Sequence, residues 1–278
     1  MKPAPFAYHR PETVDEALAL LAAHGPAAKP LAGGQSLIPA MNFRLARPAV
    51  LVDLNRIAAL ASVREDTDDV RIGAMTRQRT VERDPLVRGR APLLTEALPH
   101  VAHAQIRNRG TVGGSVAHAD PAGEIPAVLL ALEARFDLRG PGGIRTVPAE
   151  RFFTGLFETA LDDGELVTAV KFAIPEKAGY EKFRNPASRY AMAAAFVSKH
   201  RDGHVRVAIT GAGNEGVFRW TEAEERLTKS LTADALDGLA IDPSRMMGDI
   251  HAPADYRAHL VTVMARRAVQ NLGGTHIV

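Results

Sequence analysis

Two glycine pairs, each with a serine one or two residues further on, are the part of this sequence best suited to holding a ligand. The first lies in Ala32-Gly33-Gly34-Gln35-Ser36 and the second in Thr111-Val112-Gly113-Gly114-Ser115. Glycine has no Cβ, so its backbone can adopt positive φ and its N–H groups can approach an anion such as a pyrophosphate. A single pair is equally consistent with a plain tight turn. Two pairs in one small domain favour a dinucleotide gripped between two loops.

The elements that must position the first pair are predicted over residues 1–55. In chain order they are a strand over 6–9, a helix from residue 14, a strand over 28–32, a helical turn over 37–41 and a buried strand over 49–54. The start of this helix is predicted from Thr13 and Glu16, which have the spacing of a capping box, and its end is predicted from Gly25-Pro26. These residues are predicted to form a small α/β unit.

The second pair lies in an alternation of strands and helices over residues 56–177. Strands are predicted over 70–73, 134–138, 144–147 and 166–174, and helices over 92–103 and 124–133. Gly140-Pro141-Gly142-Gly143 predicts a hairpin turn, and the breaker-rich residues 175–179 predict a domain boundary. Around the second glycine pair we expect a turn and a polar loop that leads into the helix at Glu124.

Residues 178–278 form the third predicted segment. Apolar strands over 190–199 and 204–210 are joined by a predicted hairpin at Arg201-Asp202-Gly203. The last 60 residues, roughly, are predicted to be helical, with 255–271 the longest stretch. The sequence therefore predicts an α+β chain in three segments, 1–55, 56–177 and 178–278.

Composition narrows the possible chemistry. The chain has 278 residues, 46% of them hydrophobic and 24% charged, as in folded globular proteins, and its formal charge of +2 is too small to indicate nucleic-acid binding. It lacks a run of about 18 apolar residues and an apolar leader, so we expect no transmembrane segment and a cytoplasmic location. Zero cysteines exclude disulfides, thiolate zinc sites, cysteine nucleophiles and iron–sulfur clusters. Redox chemistry would need a bound organic cofactor.

Three other patterns are given non-functional interpretations. Gly211-Ala-Gly213-Asn-Glu-Gly216 fits the dinucleotide fingerprint G-x-G-x-x-G, but a hairpin precedes it instead of a βαβ crossover, and Glu215 would repel a pyrophosphate. A loose set of possible metal ligands, read as surface and loop residues, comprises His100, His103, His118 and Asp120. Arginines read as a solvated face or a partner interface are Arg88, Arg90, Arg107 and Arg109. We therefore expect no metal site.

Several motifs together resemble the FAD-binding medium subunits of molybdenum hydroxylases, and most closely the carbon monoxide dehydrogenase branch. Besides the two glycine segments, they are Leu45-Ala-Arg-Pro48, Val52-Asp53, Gln105-Ile-Arg107, Ala117-His-Ala-Asp-Pro-Ala-Gly-Glu124, Tyr180-Glu-Lys182, Tyr190-Ala191, Tyr256-Arg257 and Met264-Ala-Arg-Arg-Ala268. The resemblance runs nearly end to end. It implies two α/β FAD-binding subdomains of the vanillyl-alcohol-oxidase type, followed by a C-terminal domain with a small antiparallel sheet and helices.

The resemblance also implies which residues hold FAD. Ala32 to Ser36 and Thr111 to Ser115 would contact the pyrophosphate, and Glu124 the nucleotide end. The Val167 backbone and Lys182 are further candidates, and Tyr190 would lie close to the flavin ring. Arg189 departs from the family, whose members usually carry an acid before that tyrosine. No residue of the chain is expected to act as an essential general base, because the flavin carries the chemistry.

The implied function is an electron relay. In the family, a molybdopterin large subunit oxidises the substrate, an iron–sulfur small subunit passes electrons on, and FAD delivers them to an external acceptor, in a complex expected to be a dimer of heterotrimers. One alternative is a stand-alone FAD-dependent oxidoreductase that acts on a small organic substrate. Another is a nucleotide-binding scaffold without a redox role.

Overall fold

Three main sheets, one after another along the chain, organise the computed structural model of the protein. The structure describes residues 1–66 and 69–273, so residues 274–278, the end of the predicted third segment, lie outside the described residues. The first sheet is built before residue 56, the second between residues 63 and 173, and the third from residue 177 onward. The predicted α+β class is confirmed, whereas the division into three domains stays a prediction.

The first sheet is small and parallel. Its unit comprises β1 (Ala7–His9), α1 (Val14–His24), β2 (Ala28–Leu31), α2 (Leu37–Asn42) and β3 (Val50–Asp53), with strand order β1-β3-β2. Helix α1 begins where predicted because Oγ1 of Thr13 accepts a hydrogen bond from the N–H of Glu16 at 3.1 Å. The Glu16 carboxylate binds the N–H of Glu12 instead of the cap residue. Fully buried Ala17 and Val52 belong to the apolar cluster that joins the helix to the sheet.

The second segment wraps helices around a buried one. Its elements are β4 (Val63–Asp66), β5 (Asp69–Gly73), α3 (Gln78–Arg83), α4 (Pro85–Arg90), α5 (Pro92–Ala97), α6 (Ala104–Arg109), α7 (Val112–His118), α8 (Glu124–Ala131), β6 (Arg135–Gly140), β7 (Gly143–Pro148), α9 (Ala149–Phe152), β8 (Phe153–Gly155), β9 (Glu158–Thr159) and β10 (Leu166–Ala173). The main sheet is antiparallel in the order β4-β5-β10-β6-β7. Gly140 pairs with Gly143, which confirms the predicted hairpin. Every residue of α8 is buried, as expected for a helix whose residues after Glu124 are all apolar.

The third sheet is covered on both faces. Its segment comprises β11 (Lys177–Arg184), β12 (Ala191–Lys199), β13 (Val205–Thr210), β14 (Phe218–Arg219), α10 (Thr221–Lys229) and α11 (Ala254–Gln270), and the antiparallel order is β11-β12-β13-β14. Side chains alternate across a strand, so Ala194 and Phe196 of β12 join the core around α8 while Ala195 and Val197 join the core beneath α11. The sheet thereby connects the C-terminal helices to the middle of the molecule.

Several local predictions are wrong for identifiable reasons. The helix predicted over 92–103 ends at Ala97 and continues only as a 3-10 turn, Leu98–His100, because Pro99 has no N–H to donate. The predicted break over 175–179 is shorter, since β11 already begins at Lys177. The C-terminal stretch is not helical throughout. Between α10 and α11 its helical elements are the 3-10 turns Ala233–Leu236 and Pro243–Arg245.

Candidate cofactor site

The two glycine segments, residues 32–36 and 111–115, lie against each other. A Cβ added to Gly33 would be 2.6 Å from the carbonyl oxygen of Arg109 and 2.8 Å from Cα of Gly110. A Cβ added to Gly114 would be 3.4 Å from Cβ of Ala32. Contacts this close require a residue without a side chain at Gly33, so the glycine permits the two backbones to meet.

The first segment is an open loop between β2 and α2. Gly34 has a φ of +72°, a left-handed conformation that favours glycine. Within the described parts of the chain, the backbone N–H groups of residues 34–37 donate to no protein acceptor, although Nε2 of Gln35 donates to the Gly33 carbonyl at 3.1 Å. Successive unpaired amides in a bend of this kind form a concave site for an anion. This segment can bind a pyrophosphate through its backbone.

The second segment is not the turn that the sequence predicts, because its glycines lie in the first turn of α7. Oγ1 of Thr111 caps that helix by accepting from the N–H of Gly114 at 3.1 Å. The N–H groups of Val112 and Gly113 donate to carbonyls of the β5–α3 connection, at 3.1 Å and 2.8 Å. A Cβ on Gly113 would overlap Ala74 in that connection. These amides already have partners, so the segment offers a smooth surface and the hydroxyls of Thr111 and Ser115.

A polar chain that the sequence analysis missed holds the two segments together. Nδ2 of Asn55 donates to the Ala32 carbonyl at 2.9 Å. The guanidinium of Arg77 donates both to Oδ1 of Asn55 and to the Arg109 carbonyl, next to the second segment. Asp53 anchors Asn55 by accepting from its N–H at 2.9 Å. Two polar residues at the end of a buried strand, here Asp53 as the last residue of β3 and Asn55 just after it, are the signal that would have indicated this polar chain.

Asp53 is buried yet remains ionised. Burial alone would raise the pKa of its carboxyl, but hydrogen bonds from the Tyr8 hydroxyl and from Asn55 hold the pKa below its ordinary value. The same hydrogen bond to Asp53 raises the pKa of Tyr8. The charged carboxylate therefore fixes the start of the polar chain at neutral pH.

Glu124 and Lys182 form an ion pair in the packing between α8 and β11. The side chains are 6% and 4% exposed, so the charges neutralise each other away from water. Burial raises the pKa of Glu124, and the Lys182 ammonium opposes that rise. Nζ of Lys182 also lies 3.4 Å from the His100 carbonyl. The structure thus pairs two of the residues that the resemblance assigns to FAD.

Tyr190 and Val167, the two remaining residues that the resemblance assigns to FAD, lie in different elements of the fold. Tyr190 is 55% exposed and follows Arg189, whose φ is +65°. Burial of part of its ring, and then the charges of Asp120 and Glu124, raise the pKa of Tyr190. Val167 lies in β10 opposite Leu138, one residue before the carbonyl that accepts from Ala74 at 3.0 Å. Val167 is therefore a neighbour of the surface on which Gly113 packs.

The structure supports the interpretation of the G-x-G-x-x-G match as non-functional, but it corrects the interpretation of one arginine. Gly211 to Gly216 leads from β13 into the antiparallel strand β14 and not directly into a helix, so the fingerprint there is coincidental. The interpretation of Arg107 as a solvated residue is wrong. Its side chain is 8% exposed, and it donates to Glu82 and to the Val101 carbonyl, both at 2.9 Å. Arg109 is exposed.

Unpaired loop amides packed beside a glycine-lined helix start form the kind of surface that can bind a dinucleotide pyrophosphate. The family model for the FAD binding domain in molybdopterin dehydrogenase matches residues 4–176. The chain belongs to this family of FAD-binding molybdopterin dehydrogenase subunits, and the predicted oxidoreductase class and cofactor are confirmed. No helix in the described residues is long and apolar enough to cross a membrane.

Relatives match over nearly the full length. The carbon monoxide dehydrogenase medium chain of Hydrogenophaga pseudoflava is 39% identical, with 97% of each chain covered. The nicotine 6-hydroxylase medium subunit of Paenarthrobacter nicotinovorans is 36% identical, with 98% of this chain and 99% of the relative covered. A chain in the structure of Cu,Mo-CO dehydrogenase superposes with a TM-score of 0.90 at 38% identity, covering 97% of this chain and 98% of that one. A chain in the structure of quinoline 2-oxidoreductase from Pseudomonas putida 86 superposes with a TM-score of 0.87 at 31% identity, covering 99% of this chain and 100% of that one.

Proposed function

We propose that the FAD pyrophosphate is held by the free amides of residues 34–37 and rests on the segment Thr111 to Ser115. The observation that carries the assignment is the run of unpaired N–H groups at Gly34, packed beside the second glycine segment. Ala32 and Gly33 position that run, and Gln35 and Ser36 add neutral donors. The Val167 backbone, Glu124 and Lys182 line the remaining cofactor surface, and Tyr190 lies beside the flavin ring.

The chain functions as the electron-relay subunit of a molybdenum hydroxylase. Bound FAD supplies the two-electron chemistry, and it takes electrons from iron–sulfur clusters and passes them to an external acceptor. The clusters must belong to another polypeptide, since this sequence contains no cysteine thiolate to hold them. The partners are a small iron–sulfur subunit and a large molybdopterin subunit, assembled as a dimer of heterotrimers in the cytoplasm.

The protein's own contribution is binding and orientation. The Asp53–Asn55–Arg77 chain fixes the spacing between the two glycine segments, so the pyrophosphate would meet a preformed surface. The buried Glu124–Lys182 pair adds no net charge beside the cofactor. The relatives are named for different substrates, carbon monoxide and nicotine among them. Substrate choice therefore lies on the molybdenum subunit.

The site assignment is tested with two matched asparagine variants. Asn55→Ala removes the hydrogen bond to Ala32, and we expect FAD affinity to fall about 5–150-fold, since leaving polar groups of this half-buried site unpaired costs about 1–3 kcal/mol. Asn214→Ala removes a hydrogen bond of the same kind and length, 2.9 Å to the Ser244 carbonyl, in the C-terminal segment. Its FAD affinity should equal that of the parent. Equal affinities for the parent and Asn55→Ala would refute the assignment.

The relay role is tested by reconstitution. The FAD-loaded chain alone should oxidise no aldehyde, purine, N-heterocycle or CO, whereas its flavin should be reduced by substrate once the iron–sulfur and molybdenum subunits are added. Stopped-flow absorbance of the flavin measures this directly. Rapid turnover by the isolated chain would instead favour a stand-alone FAD-dependent oxidoreductase.

A further inference from the structure

A second group of potential ligands lies at the far end of β12 from Tyr190. His200 and His204 flank the β12–β13 hairpin, and Glu133 faces them from the residues after α8. Nine strand residues, at about 3.3 Å each, put this group about 30 Å from the proposed flavin contact. Nothing in the FAD site uses it, and the sequence analysis did not single out these residues.

The three side chains converge on one point. Nε2 of His204 lies 3.0 Å from Oε2 of Glu133, and Nδ1 of His200 lies 3.5 Å from the same oxygen. The two imidazole rings stack with their centroids 4.8 Å apart and their planes at 13°. With zinc–ligand bonds of about 2.0–2.1 Å, neighbouring ligand atoms in a tetrahedral site are about 3.3–3.4 Å apart. Two edges of the observed triangle are close to that length.

Hydrogen bonding orients His200 as a metal ligand. Oγ of Ser198 donates to the Ala131 carbonyl at 2.6 Å, so its proton is already used. Nε2 of His200 is 3.0 Å from that hydroxyl oxygen and 3.2 Å from the Ala131 carbonyl, and it must carry a hydrogen to bond to either. In a neutral ring, the lone pair on Nδ1 then points toward Glu133.

His204 repeats the arrangement with a carboxylate. Its Nδ1 contacts Asp202, which requires a hydrogen on Nδ1, so that in the neutral ring the lone pair of Nε2 is directed at Glu133. Ligating histidines typically donate their second ring N–H to a carboxylate or a carbonyl in this way. Arg206 holds the other oxygen of Glu133, Oε1, at 2.7 Å, which fixes the carboxylate with Oε2 facing the two histidines.

We propose that Glu133, His200 and His204 bind one Zn²⁺-like divalent cation, with water completing a tetrahedron. Two neutral imidazole lone pairs and a carboxylate oxygen repel one another, so the cluster holds either ring protons or a cation. The partners already bound to the second nitrogen of each ring, together with spacings close to those of a zinc site, point to the cation. The bound ion would join the β12–β13 hairpin to the end of α8. It acts as a structural clip between the third sheet and the core of the second segment.

The test uses the tag-free, full-length chain loaded with FAD. After chelator treatment and gel filtration, Zn²⁺ is added in a calorimetric titration and the bound zinc is counted by elemental analysis. We expect one Zn²⁺ per chain for the parent and none for His204→Ala. Asp202→Ala leaves all three ligands in place but removes the support of His204, so affinity should fall about 10–100-fold.

His259→Ala is the matched control, because His259 is exposed on α11, outside the cluster. It should bind Zn²⁺ like the parent. Circular dichroism and FAD content establish that each variant is folded. The clip is ruled out if the parent binds no Zn²⁺, which would mean that protons alone occupy the cluster. It is also ruled out if His204→Ala binds Zn²⁺ as tightly as the parent.

Discussion

The two glycine segments are alike in sequence and different in structure. Gly33-Gly34 lies in an open loop after a short parallel strand, with unpaired amides and a left-handed residue. Gly113-Gly114 lies inside the first turn of α7, with every amide from Val112 to Ser115 already bonded. In the first segment, glycine permits a conformation and a contact between backbones, whereas in the second it permits close packing against Ala74 and the cap residue.

A glycine pair alone therefore does not determine whether its backbone amides are free to bind a ligand. Thr111, a hydroxyl residue in extended conformation, precedes the second pair and can cap a helix, so the chain turns helical and uses its amides internally. No such cap precedes the first pair, and Ser36 makes no capping hydrogen bond to α2. The amides left over there are the ones available to a pyrophosphate. Four variants test this difference between the two glycine segments.

The largest effect is expected from Gly33→Ala. Its Cβ would lie 2.6 Å from the Arg109 carbonyl, a backbone atom that cannot move without separating the two segments. We expect FAD affinity to fall more than about tenfold, corresponding to at least about 1.4 kcal/mol. Bound FAD per folded chain, measured by absorbance after gel filtration, gives the result. Gly89→Ala is the control, because Gly89 is an exposed residue of α4 with nothing within 4 Å of an added Cβ. A parent-like FAD content in Gly33→Ala would show that the close backbone contact at Gly33 is not needed for FAD binding.

Gly34→Ala tests mainly the left-handed conformation, and its added Cβ would meet only the flexible side chains of Ile38, at 3.1 Å, and Leu31, at 3.3 Å. Gly34 and Gly238 have nearly equal φ values, +72° and +69°, so alanine at either position should be strained by about 1–2 kcal/mol. Both variants should therefore unfold more readily in urea. Only Gly34→Ala should also bind FAD more weakly, by about 5–10-fold, because only that loop presents free amides. Equal FAD binding by the two variants would show that the first loop does not contact the cofactor.

Thr111→Ala should lower stability more than binding. Losing the cap of α7 should reduce the free energy of unfolding by about 0.5–2 kcal/mol, with a smaller loss of FAD affinity than Gly34→Ala causes. Asp84→Ala is the comparison, because the Asp84 carboxylate caps α4 by accepting from the N–H groups of Leu86 and Val87. The two variants should lose similar stability in urea titrations. A loss of FAD affinity larger than that of Gly34→Ala would reverse the roles of the two segments.

The smallest effect concerns the acid that supports the first segment. The pKa of Asp53 is depressed in the folded protein, so its contribution to stability is complete above the ordinary aspartate pKa of about 3.9 and is lost as pH falls through the lower folded pKa. Asp53→Asn should have a lower Tm than the parent at pH 7, and this difference should shrink below about pH 4. Thermal melts of both proteins from pH 7 to pH 3 provide the measurement. A difference in Tm that stays constant over the whole range would contradict the ionised role of Asp53.

Signals that act within a few residues were sufficient to predict much of the fold. The Thr13 cap, the Gly25-Pro26 stop and the Arg201-Asp202-Gly203 turn between two apolar runs each depend on neighbours in sequence, and the structure confirms the elements they predict. The absence of cysteine determined that iron–sulfur chemistry must be elsewhere. The order and spacing of the motifs was specific enough to identify the family, which the comparisons confirm.

Other features depend on residues that meet only in the folded chain. Asn55 becomes a bridge because Arg77 arrives beside it, and Arg107 is buried because Glu82 and the Val101 carbonyl accept its hydrogen bonds. Glu133, His200 and His204 converge across about seventy residues of sequence. The sequence alone determined which residues can donate or accept hydrogen bonds and which can adopt a positive φ. The tertiary structure decided which of those groups are already satisfied, because a hydrogen bond needs both partners at one place.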